Sequence, residues 1–470
     1  MDRDFNRVIK SENNAQYDKR CSLRTDNPKK ILVHRVPYLM TATRLGKVEI
    51  VKNRSIWIEN GTIQDVCGDV EAESYISKAD LIYDASLEGG VVVTPGFINT
   101  HAHSHMYLMR STLLLEEGED IDQTIAAMPR WQQFETDESM CIAAIGDFTE
   151  QQKYGITTTL SQGPSFEAIE LAAEKTRQRA FNAVSAVSNS RPQNTVALVE
   201  QQIQAKRNVH SIPAVSIHYL YKASDETLRE IKRLVEQYNI LFTFHLAESE
   251  FVRNACVENY GKTEIDRLEH AGLLNDRTIC SHAIYLHEKE VERLIDGHVG
   301  IAHLPTSNAI HKSGRFALEL FYKRGGHNRI SLGTDSVISK SRLDLLTESF
   351  QTKLTHLNFH ALTYAELFKM MTINAAEILG LSSVGIIAPG YKADIAFWAL
   401  KDRGFIPYDE KNPISLLGNM INHGGRITRD LMIDGVFIIS NRIHNFIHET
   451  RLLELVQAEH MHIREKFREL

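Results

Sequence analysis

Two histidines that stand two residues apart follow a short apolar run in the first quarter of the chain. The run covers 97–99, and the histidines are His101 and His103. Alternate residues of a strand project to the same side, so both imidazoles are expected to face one point. Neutral imidazole binds zinc, iron and nickel, and the pair therefore indicates a metal site. With 21 histidines in the chain, one such pair also arises by chance, so the interpretation depends on further ligands.

Further residues of ligand type stand at the ends of other β-prone runs. They are His245 followed by Glu248, His282, and Asp335. Each of them alone has an ordinary explanation, such as a surface histidine or an aspartate that caps the next helix. Their recurrence at the ends of separate runs predicts one shared metal site.

The elements that must position these residues alternate between strand and helix. Eight strand candidates cover 97–99, 157–160, 180–186, 214–218, 241–245, 278–282, 299–302 and 329–333. The intervening segments include 224–238, in which Leu228, Ile231 and Leu234 recur at helical spacing. Eight β-α units predict an α/β fold, a distorted (β/α)8 barrel of the TIM type, with its chemistry at the C-terminal ends of the strands. A doubly wound open sheet is the alternative.

Two β-rich segments bracket the predicted barrel. The first contains Asn60-Gly61 between apolar flanks, a strong hairpin signal, and the second repeats the pattern with Asp434-Gly435. We expect residues 29–90 and 385–442 to pair into one composite β-sandwich.

The remaining segments complete the predicted division of the chain. The metal-binding barrel takes residues 91–384. Residues 1–28 are polar and charged and predict a loosely ordered extension. Residues 443–470 carry apolar positions at near-helical spacing and predict a C-terminal helix that packs on the barrel or across a dimer.

Composition excludes several classes of partner. The net charge of -7 gives no reason to expect nucleic acid or an anionic membrane surface. No apolar run approaches the roughly 18 residues that a membrane span needs, and the N-terminus lacks a secretory apolar segment. The five cysteines are scattered and form no C-x-x-C pair. This pattern favours a reducing compartment, and we expect a cytoplasmic protein without a disulfide scaffold or a cysteine metal site.

Eight motifs follow one another along almost the whole of residues 30–440. They are TPGFINTHAH (94–103), YGITTT (154–159), FHLAES (244–249), SHAIYL (281–286), PTSN (305–308), LGTDS (332–336), TINAAEILGL (372–381) and GIIAPGYKADIAFW (385–398). In this order they resemble the amidohydrolase superfamily, in particular its branch of heterocycle deaminases and triazine hydrolases. That branch includes adenosylhomocysteine, thioadenosine, guanine and cytosine deaminases.

The resemblance implies a role for each candidate residue. It implies that one divalent metal per chain, zinc with iron(II) and nickel(II) as alternatives, is held by His101, His103, His245 and Asp335. His282 matches the histidine that hydrogen-bonds the attacking water, and Glu248 matches the glutamate that carries protons to a ring nitrogen. The family also implies a homodimer or a higher homo-oligomer. Binuclear relatives carry a lysine at the end of strand four, and 213–218 contains none, which supports a single metal.

Four further residues are candidates for substrate contacts. They are His218, Arg110, Trp131 and Asn308, in loops expected after strands one, four and seven. The alternative role of Trp131 is packing, and that of Arg110 is an ion pair with Glu116, Glu117 or Glu119. His218 matches a strand-four histidine of several deaminases.

The ligand set predicts a reaction. A metal held by imidazoles and one carboxylate keeps a position open for water and lowers the pKa of that water towards ~7. Asp335 is expected to accept the proton of that water, while Glu248 protonates the substrate. We therefore predict a hydrolase acting on carbon–nitrogen bonds, a deaminase of a small heterocycle such as a purine, pterin, pyrimidine or triazine. A related hydrolase with a halide, thiol or cyclic-amide leaving group, and a metal-binding protein without catalysis, are the alternatives.

Overall fold

A computed structural model describes residues 7–10, 19–110, 120–188, 190–205, 208–338 and 342–468. The strands, β1 to β18 in chain order, are Cys21–Leu23, Lys30–Ala42, Val48–Glu59, Thr62–Gly68, Leu81–Asp84, Val91–Pro95, Phe97–Ala102, Ile156–Gly163, Arg179–Ser185, Ser211–Tyr219, Leu241–Leu246, Thr278–His282, Gly300–His303, Ile330–Leu332, Ile395–Ala399, Asp430–Ile433, Val436–Ser440 and Ile443–His444.

The helices, α1 to α16 in chain order, are Asp69–Ile76, Ile121–Gln132, Asp137–Lys153, Phe166–Thr176, Val196–Ala205, Asp225–Tyr238, Glu250–Tyr260, Glu264–Ala271, Glu288–Asp296, Pro305–Ile310, Leu318–Lys323, Leu345–Thr355, Tyr364–Met371, Ile373–Ile378, Ser415–His423 and Glu449–Arg468.

The eight strands β7 to β14 form one parallel sheet in sequence order. Its two ends meet, because the backbone N–H groups of Thr334 and Asp335 each donate to the carbonyl oxygen of His101 at 3.0 Å. A parallel bridge between Ala102 and Asp335 lies beside these bonds. The predicted barrel is confirmed, and the open-sheet alternative is wrong because the first and last strands contact each other.

The barrel helices form where the sequence pattern predicts them. Helix α6 begins after Ser224, whose hydroxyl accepts a hydrogen bond from the N–H of Thr227. The three leucine and isoleucine residues at helical spacing, Leu228, Ile231 and Leu234, are completely buried. The helix ends at Asn239, which takes a left-handed conformation with φ 51°.

The two bracketing segments build a second, mixed sheet. Its strand order is β1-β5-β2-β6-β15-β16-β17-β18, and off this path β3 pairs with β2 and β4 pairs with β3. Strand β15 of the second segment pairs with β6, and β6 pairs with β2 of the first segment, so β6 joins the two at the centre of the sheet. Strand β6, Val91–Pro95, lies just beyond the predicted end of the first segment at residue 90. The composite origin of this unit is therefore confirmed, together with the predicted fold class.

Both predicted turn signals form hairpins. Asn60 and Gly61 have φ 49° and 77°, and Asp434 and Gly435 also have φ 49° and 77°. These values belong to the tight turns that Asn-Gly and Asp-Gly sequences favour. The two turns also contact each other, since a Cβ added at Gly435 would lie 2.6 Å from the Cα of Gly61.

A buried ion-pair group connects the sheet to the barrel. The guanidinium of Arg179 in β9 pairs with Asp394, just before β15, and lies 2.7 Å from Asp434. Arg179 and Asp394 are 5% and 3% exposed, so each charge depends on the other for its stabilisation.

The chain ends lie against these units as far as they are described. Val8 packs in a buried cluster with Phe148 and Ile447, and β1 pairs with β5. Of the extension predicted over residues 1–28, residues 7–10 and 19–28 are described and contain β1, and residues 1–6 and 11–18 lie outside the described residues. Helix α16 buries Leu452, Ile463 and Phe467.

None of the described helices combines the length and the apolar character that crossing a membrane requires.

Candidate active site

Three histidines converge at the C-terminal end of the barrel. His101 lies in β7, His103 directly follows it, and His245 lies in β11. One ring nitrogen of each lies within 4.8 Å of the others, and all three residues are buried. The Nε2 atoms of His103 and His245 are 3.1 Å apart. Strands one and five of the barrel thus bring the predicted imidazoles together.

The hydrogen bonds of these rings create a place for a cation. Nδ1 of His103 donates to the carbonyl oxygen of Gln162 at 3.0 Å, and Nδ1 of His245 donates to that of His218 at 2.8 Å. Burial lowers the pKa of both histidines, so their neutral rings direct two Nε2 lone pairs at each other. Neither ring nitrogen of His101 has a hydrogen-bond partner among the described residues. This donor set fits a divalent metal, which would satisfy all three rings.

Asp335, three residues after β14, faces the same point. Its Oδ1 lies 3.6 Å from Nε2 of His103 and 3.9 Å from Nε2 of His101. The hydroxyl of Ser307 donates to Oδ2 at 2.5 Å, and the N–H of Ser336 donates to Oδ1 at 2.7 Å. Burial opposes the charge of Asp335, but the facing histidines and the Ser307 hydroxyl outweigh it, and the pKa of Asp335 is held below its usual range. The carboxylate is therefore ionised.

Glu248 approaches the centre from the loop after β11. Its Oε1 lies 3.3 Å from Nε2 of His282, and Nδ1 of His282 donates to the side-chain oxygen of Asn308 at 2.7 Å. Burial, and then the charge of Asp335, raise the pKa of Glu248 to about 8, although a hydrogen bond from Tyr219 lowers it. The site thus contains two carboxyls with opposite pKa shifts, an arrangement typical of an acid and a base that work together.

Unusual backbone conformations direct these side chains inward. His282 and Asp335 have φ 67° and 58°, and Ala247, just before Glu248, has φ 44°. The left-handed region is unfavourable for residues with a Cβ, and such residues concentrate at functional sites. The side-chain direction at these strand ends therefore depends on the local conformation and not on strand alternation.

Tyr219 also belongs to the site, and sequence reasoning missed it. The tyrosine directly follows His218, so strand alternation predicts that the two side chains point to opposite faces. The pairing of β10 with β11 shifts register between Ser216 and Tyr219, and Tyr219 comes to lie opposite His245. The bulge leaves both His218 and Tyr219 beside the ring of His245, with ring centroids at 4.3 and 5.4 Å. No signal in the sequence marks this bulge.

Two of the predicted substrate contacts lie at or near the centre. His218 lines the cavity beside His103 and His245. Asn308 in α10 is buried, and its side-chain oxygen accepts the hydrogen bond from His282. Asn308 therefore orients a proposed catalytic side chain, and it is not among the residues that line the cavities described below.

The other two predicted contacts point elsewhere. Arg110 lies 2.5 Å from Glu150 of α3 and stacks over the ring of Tyr107. Trp131 is completely buried and packs against His460 and Phe467 of α16. Trp131 thus has the packing role given as its alternative. Arg110 forms its ion pair with Glu150, and the glutamates expected as its partners, Glu116, Glu117 and Glu119, lie outside the described residues.

Two connected cavities open at the centre. The inner one, of 30 Å³, is lined by Glu248, His282, Asp335 and neighbouring residues. The outer one has a volume of 490 Å³. The two cavities share five lining residues and are therefore continuous. The shared residues are His103, Met106, Ile125, Met128 and His218. A small reactive chamber thus opens into a larger one, as expected for a small-molecule site.

Comparison with protein families identifies the fold and the motifs. The profile of the amidohydrolase family matches residues 92–441. The chain belongs to the amidohydrolase family. This match covers the whole barrel together with the second of the two β-rich segments.

The most similar curated amidohydrolases include several with one name, 5-methylthioadenosine/S-adenosylhomocysteine deaminase. The chain is 30% identical to the one from Desulfitobacterium hafniense over 427 residues, which cover 88% of this chain and 94% of that protein. It is 28% identical to the one from Thermodesulfovibrio yellowstonii over 440 residues, which cover 90% and 97%.

Solved structures share the same architecture. An adenosine deaminase from Xanthomonas campestris with bound zinc superposes with a TM-score of 0.81 at 19% identity, covering 93% of this chain and 98% of that one. Guanine deaminase from E. coli gives a TM-score of 0.74 at 20% identity, covering 88% and 99%. At these identities the matches show the common fold.

Family membership and the donor set agree on the kind of site. The amidohydrolase assignment and the three converging imidazoles together support a divalent metal at His101, His103 and His245. The five cysteines are free, and none of them belongs to the group of His101, His103 and His245.

Proposed function

We propose that the protein is a hydrolytic deaminase that acts on an aminated nitrogen heterocycle. The observation that carries this proposal is the pair of buried carboxyls, Asp335 and Glu248, at one small cavity beside the three histidines. An amide hydrolase has less need of the second carboxyl, because its substrate has no ring nitrogen to protonate. Family membership and the deaminase names of the relatives support a hydrolase of carbon–nitrogen bonds.

We further propose that one zinc ion per chain is held by His101, His103, His245 and Asp335. A metal bound there would supply the Lewis acidity that makes water nucleophilic near neutral pH. The cation would lower the pKa of both carboxyls, most strongly that of Asp335, so the order of the two pKa values would be kept.

Asp335 and His282 act on the attacking water. The ionised carboxylate of Asp335 accepts one proton from it. Nδ1 of His282 carries a proton, because it donates to Asn308, and its Nε2 lone pair is thus available to accept a hydrogen bond from the water. These contacts orient the water towards the carbon that bears the amino group.

Glu248 acts on the substrate. The neutral carboxyl group transfers its proton to the ring nitrogen beside the attacked carbon, which becomes tetrahedral without a negative charge on the ring. The proton taken from the water then passes to the exocyclic nitrogen, the carbon–nitrogen bond breaks, and ammonia leaves. As the carbonyl forms, the remaining hydroxyl proton passes to the Glu248 carboxylate, which becomes neutral again. The sum is one amine and one water converted into one carbonyl compound and one ammonia.

The outer cavity supports a substrate larger than a bare ring. Its walls combine apolar side chains, such as Met128, Val187 and Phe251, with the polar ends of Tyr221 and Lys222. The inner chamber is too small for a heterocycle alone, so the ring would extend into the outer cavity with its substituent. The names of the relatives make adenine nucleosides with a sulfur-linked substituent the first compounds to test, followed by pterins, pyrimidines and triazines.

The decisive experiment is a substrate panel. Zinc-loaded protein is incubated with aminated purines, adenine nucleosides, pterins, pyrimidines and triazines, together with matched chloro- and thio-substituted compounds. We expect ammonia release from at least one amine. If only chloride or thiol is released, or a cyclic amide is opened, the alternative leaving groups replace deamination.

Two further proposals concern the setting of the enzyme. The resemblance that identified the motifs supports a homodimer, and the scattered cysteines support a reducing compartment such as the cytoplasm. Light scattering on the purified protein tests the dimer, because a mass near 53.4 kDa would contradict it.

A further inference from the structure

Tyr219 stands directly behind Glu248. The tyrosine is completely buried, and its hydroxyl donates a hydrogen bond to Oε2 of Glu248 at 2.7 Å. The other oxygen of the carboxyl, Oε1, faces Nε2 of His282 at 3.3 Å. The two oxygens of Glu248 are thus held in different surroundings, one against a phenol and one against the reactive chamber.

The donors in this chain of hydrogen bonds are ordered. The hydroxyl of Tyr219 lies 2.7 Å from Oε2 of Glu248 and acts as the donor, because the carboxyl oxygen is the acceptor. Nδ1 of His282 donates to Asn308, which leaves Nε2 of His282 as an acceptor. Oε2 of Glu248 already accepts a hydrogen bond from the phenol. The proton of a neutral Glu248 therefore lies on Oε1, the oxygen that faces His282.

We propose that Tyr219 is a positioning residue that fixes the rotamer of Glu248 and confines its transferable proton to Oε1. The inference rests on the proposed function, in which Glu248 carries the proton to the substrate. A glutamate side chain has several rotamers, and a carboxyl that turns away from the ring nitrogen cannot transfer its proton. The phenol removes this freedom before the substrate binds.

The hydroxyl can be separated from the packing of the ring. The Tyr219 ring is stacked on Tyr221 with centroids 5.5 Å apart, and the ammonium of Lys222 lies 5.5 Å from its centroid. Its ring also contacts that of His245. Phenylalanine keeps all of these contacts in kind and removes only the hydrogen bond to Glu248.

The first test is therefore Tyr219→Phe. We expect kcat to fall by about 10- to 100-fold, the scale of a misplaced catalytic group, while KM, metal content and the melting temperature stay close to those of the wild type. Tyr83→Phe is the matched control, since the buried hydroxyl of Tyr83 donates to a carboxylate, Asp430, at 2.6 Å and Tyr83 lines neither cavity. Equal effects of the two substitutions would overturn the proposal.

A double-mutant cycle distinguishes positioning from a structural role. If Tyr219 acts through Glu248, Tyr219→Phe should cause no further loss in a Glu248→Gln background, measured by single turnover at high enzyme concentration. If the losses multiply as independent effects, the hydroxyl acts elsewhere and the proposal is wrong.

Infrared difference spectroscopy supplies a readout that does not need activity. At pH 6, subtraction of the Glu248→Gln spectrum isolates the carboxylic acid band of Glu248. Tyr219→Phe should move this band to higher wavenumber, because Oε2 loses its donor. A shifted band in an enzyme that releases no ammonia would refute the proposed deamination and keep the assignment of Tyr219. An unshifted or missing band would refute the assignment.

Discussion

At the scale of single residues, Asp335 and Glu248 carry the same functional group in two different environments. Asp335 receives hydrogen bonds from Ser307 and Ser336 and faces three histidines, which favours its charged form. Glu248 is buried, accepts a hydrogen bond from Tyr219 and lies near the negative charge of Asp335. The burial and that charge favour its neutral form. The same functional group can therefore serve as base in one position and as acid in the other.

The first prediction concerns the acid. Glu248→Gln should retain metal and substrate binding but lower kcat and kcat/KM by about 10²-fold or more, because an amide cannot transfer the proton. Steady-state kinetics and elemental analysis of the same sample measure both properties.

A second buried carboxyl supplies the control for Glu248→Gln. Burial also raises the pKa of Glu264 to about 8, but its Oε2 accepts from the backbone N–H of Ala247 and it does not line either cavity. Glu264→Gln still offers an oxygen to that N–H and should keep most of the activity. If Glu248→Gln deaminates at the wild-type rate, the role of Glu248 as proton carrier is wrong.

The second prediction concerns His282. His282→Asn should lower kcat by about 10²-fold or more, since a positioned group that holds the attacking water is lost. The metal content should remain, because the proposed ligands are other residues. Loss of the metal together with the activity would instead make His282 a ligand.

At the scale of elements, the site depends on departures from regular strands. The bulge in β10 turns Tyr219 towards Glu248, and the left-handed conformations of His282 and Asp335 aim these residues across the barrel mouth. Hydrogen bonds of the neighbouring strands hold these conformations in place, such as those from Thr334 and Asp335 to the carbonyl of His101. Each residue held in the left-handed conformation at this end of the barrel thus costs roughly 1–3 kcal/mol in the free energy of folding.

The third prediction concerns the hairpin turns of the composite sheet. Gly61 and Gly46 both have positive φ, 77° and 76°, but only Gly61 lies against another segment, where a Cβ would collide with the backbone oxygen of Asp434. Gly46→Ala should cost about 1–2 kcal/mol in the free energy of unfolding from its backbone conformation alone. Gly61→Ala should cost about 1–3 kcal/mol more, from the collision. Urea denaturation compares the two, and equal costs would show that the contact between the turns is unimportant.

At the scale of the whole molecule, the proposed metal site connects distant parts of the chain. His101 lies in the first barrel strand and His103 directly follows it, His245 lies in the fifth, and Asp335 lies three residues after the eighth. A ligand that binds only the folded state stabilises it by mass action, so metal and fold should depend on each other.

The fourth prediction follows from that connection. Purified protein should contain about one divalent metal per chain, and His245→Ala should lose it. At a free metal concentration 100 times its Kd, the folded state should gain about 2.7 kcal/mol, seen as a higher melting temperature than that of chelator-treated protein. Two metals per active chain would contradict the single-metal proposal.

The sequence by itself determined the residue types that matter and the order in which strands deliver them. The candidate ligands His101, His103, His245 and Asp335 were predictable because each stands at the end of an apolar run, and parallel strands of a barrel end on one side. The composite sheet was predictable from its two hairpin signals, since Asn-Gly and Asp-Gly turns are encoded locally. Both kinds of signal depend only on neighbours in the chain.

The tertiary structure alone decided which nearby side chains join the site. Tyr219 enters it through a register shift against β11, and Asn308 reaches His282 from another strand's loop. Arg110 and Trp131 turn instead to helices that lie far away in sequence. Bulges, left-handed strand ends and helix contacts arise from pairing between segments separated by many residues. A local pattern carries no record of such pairing, and only the folded chain determines it.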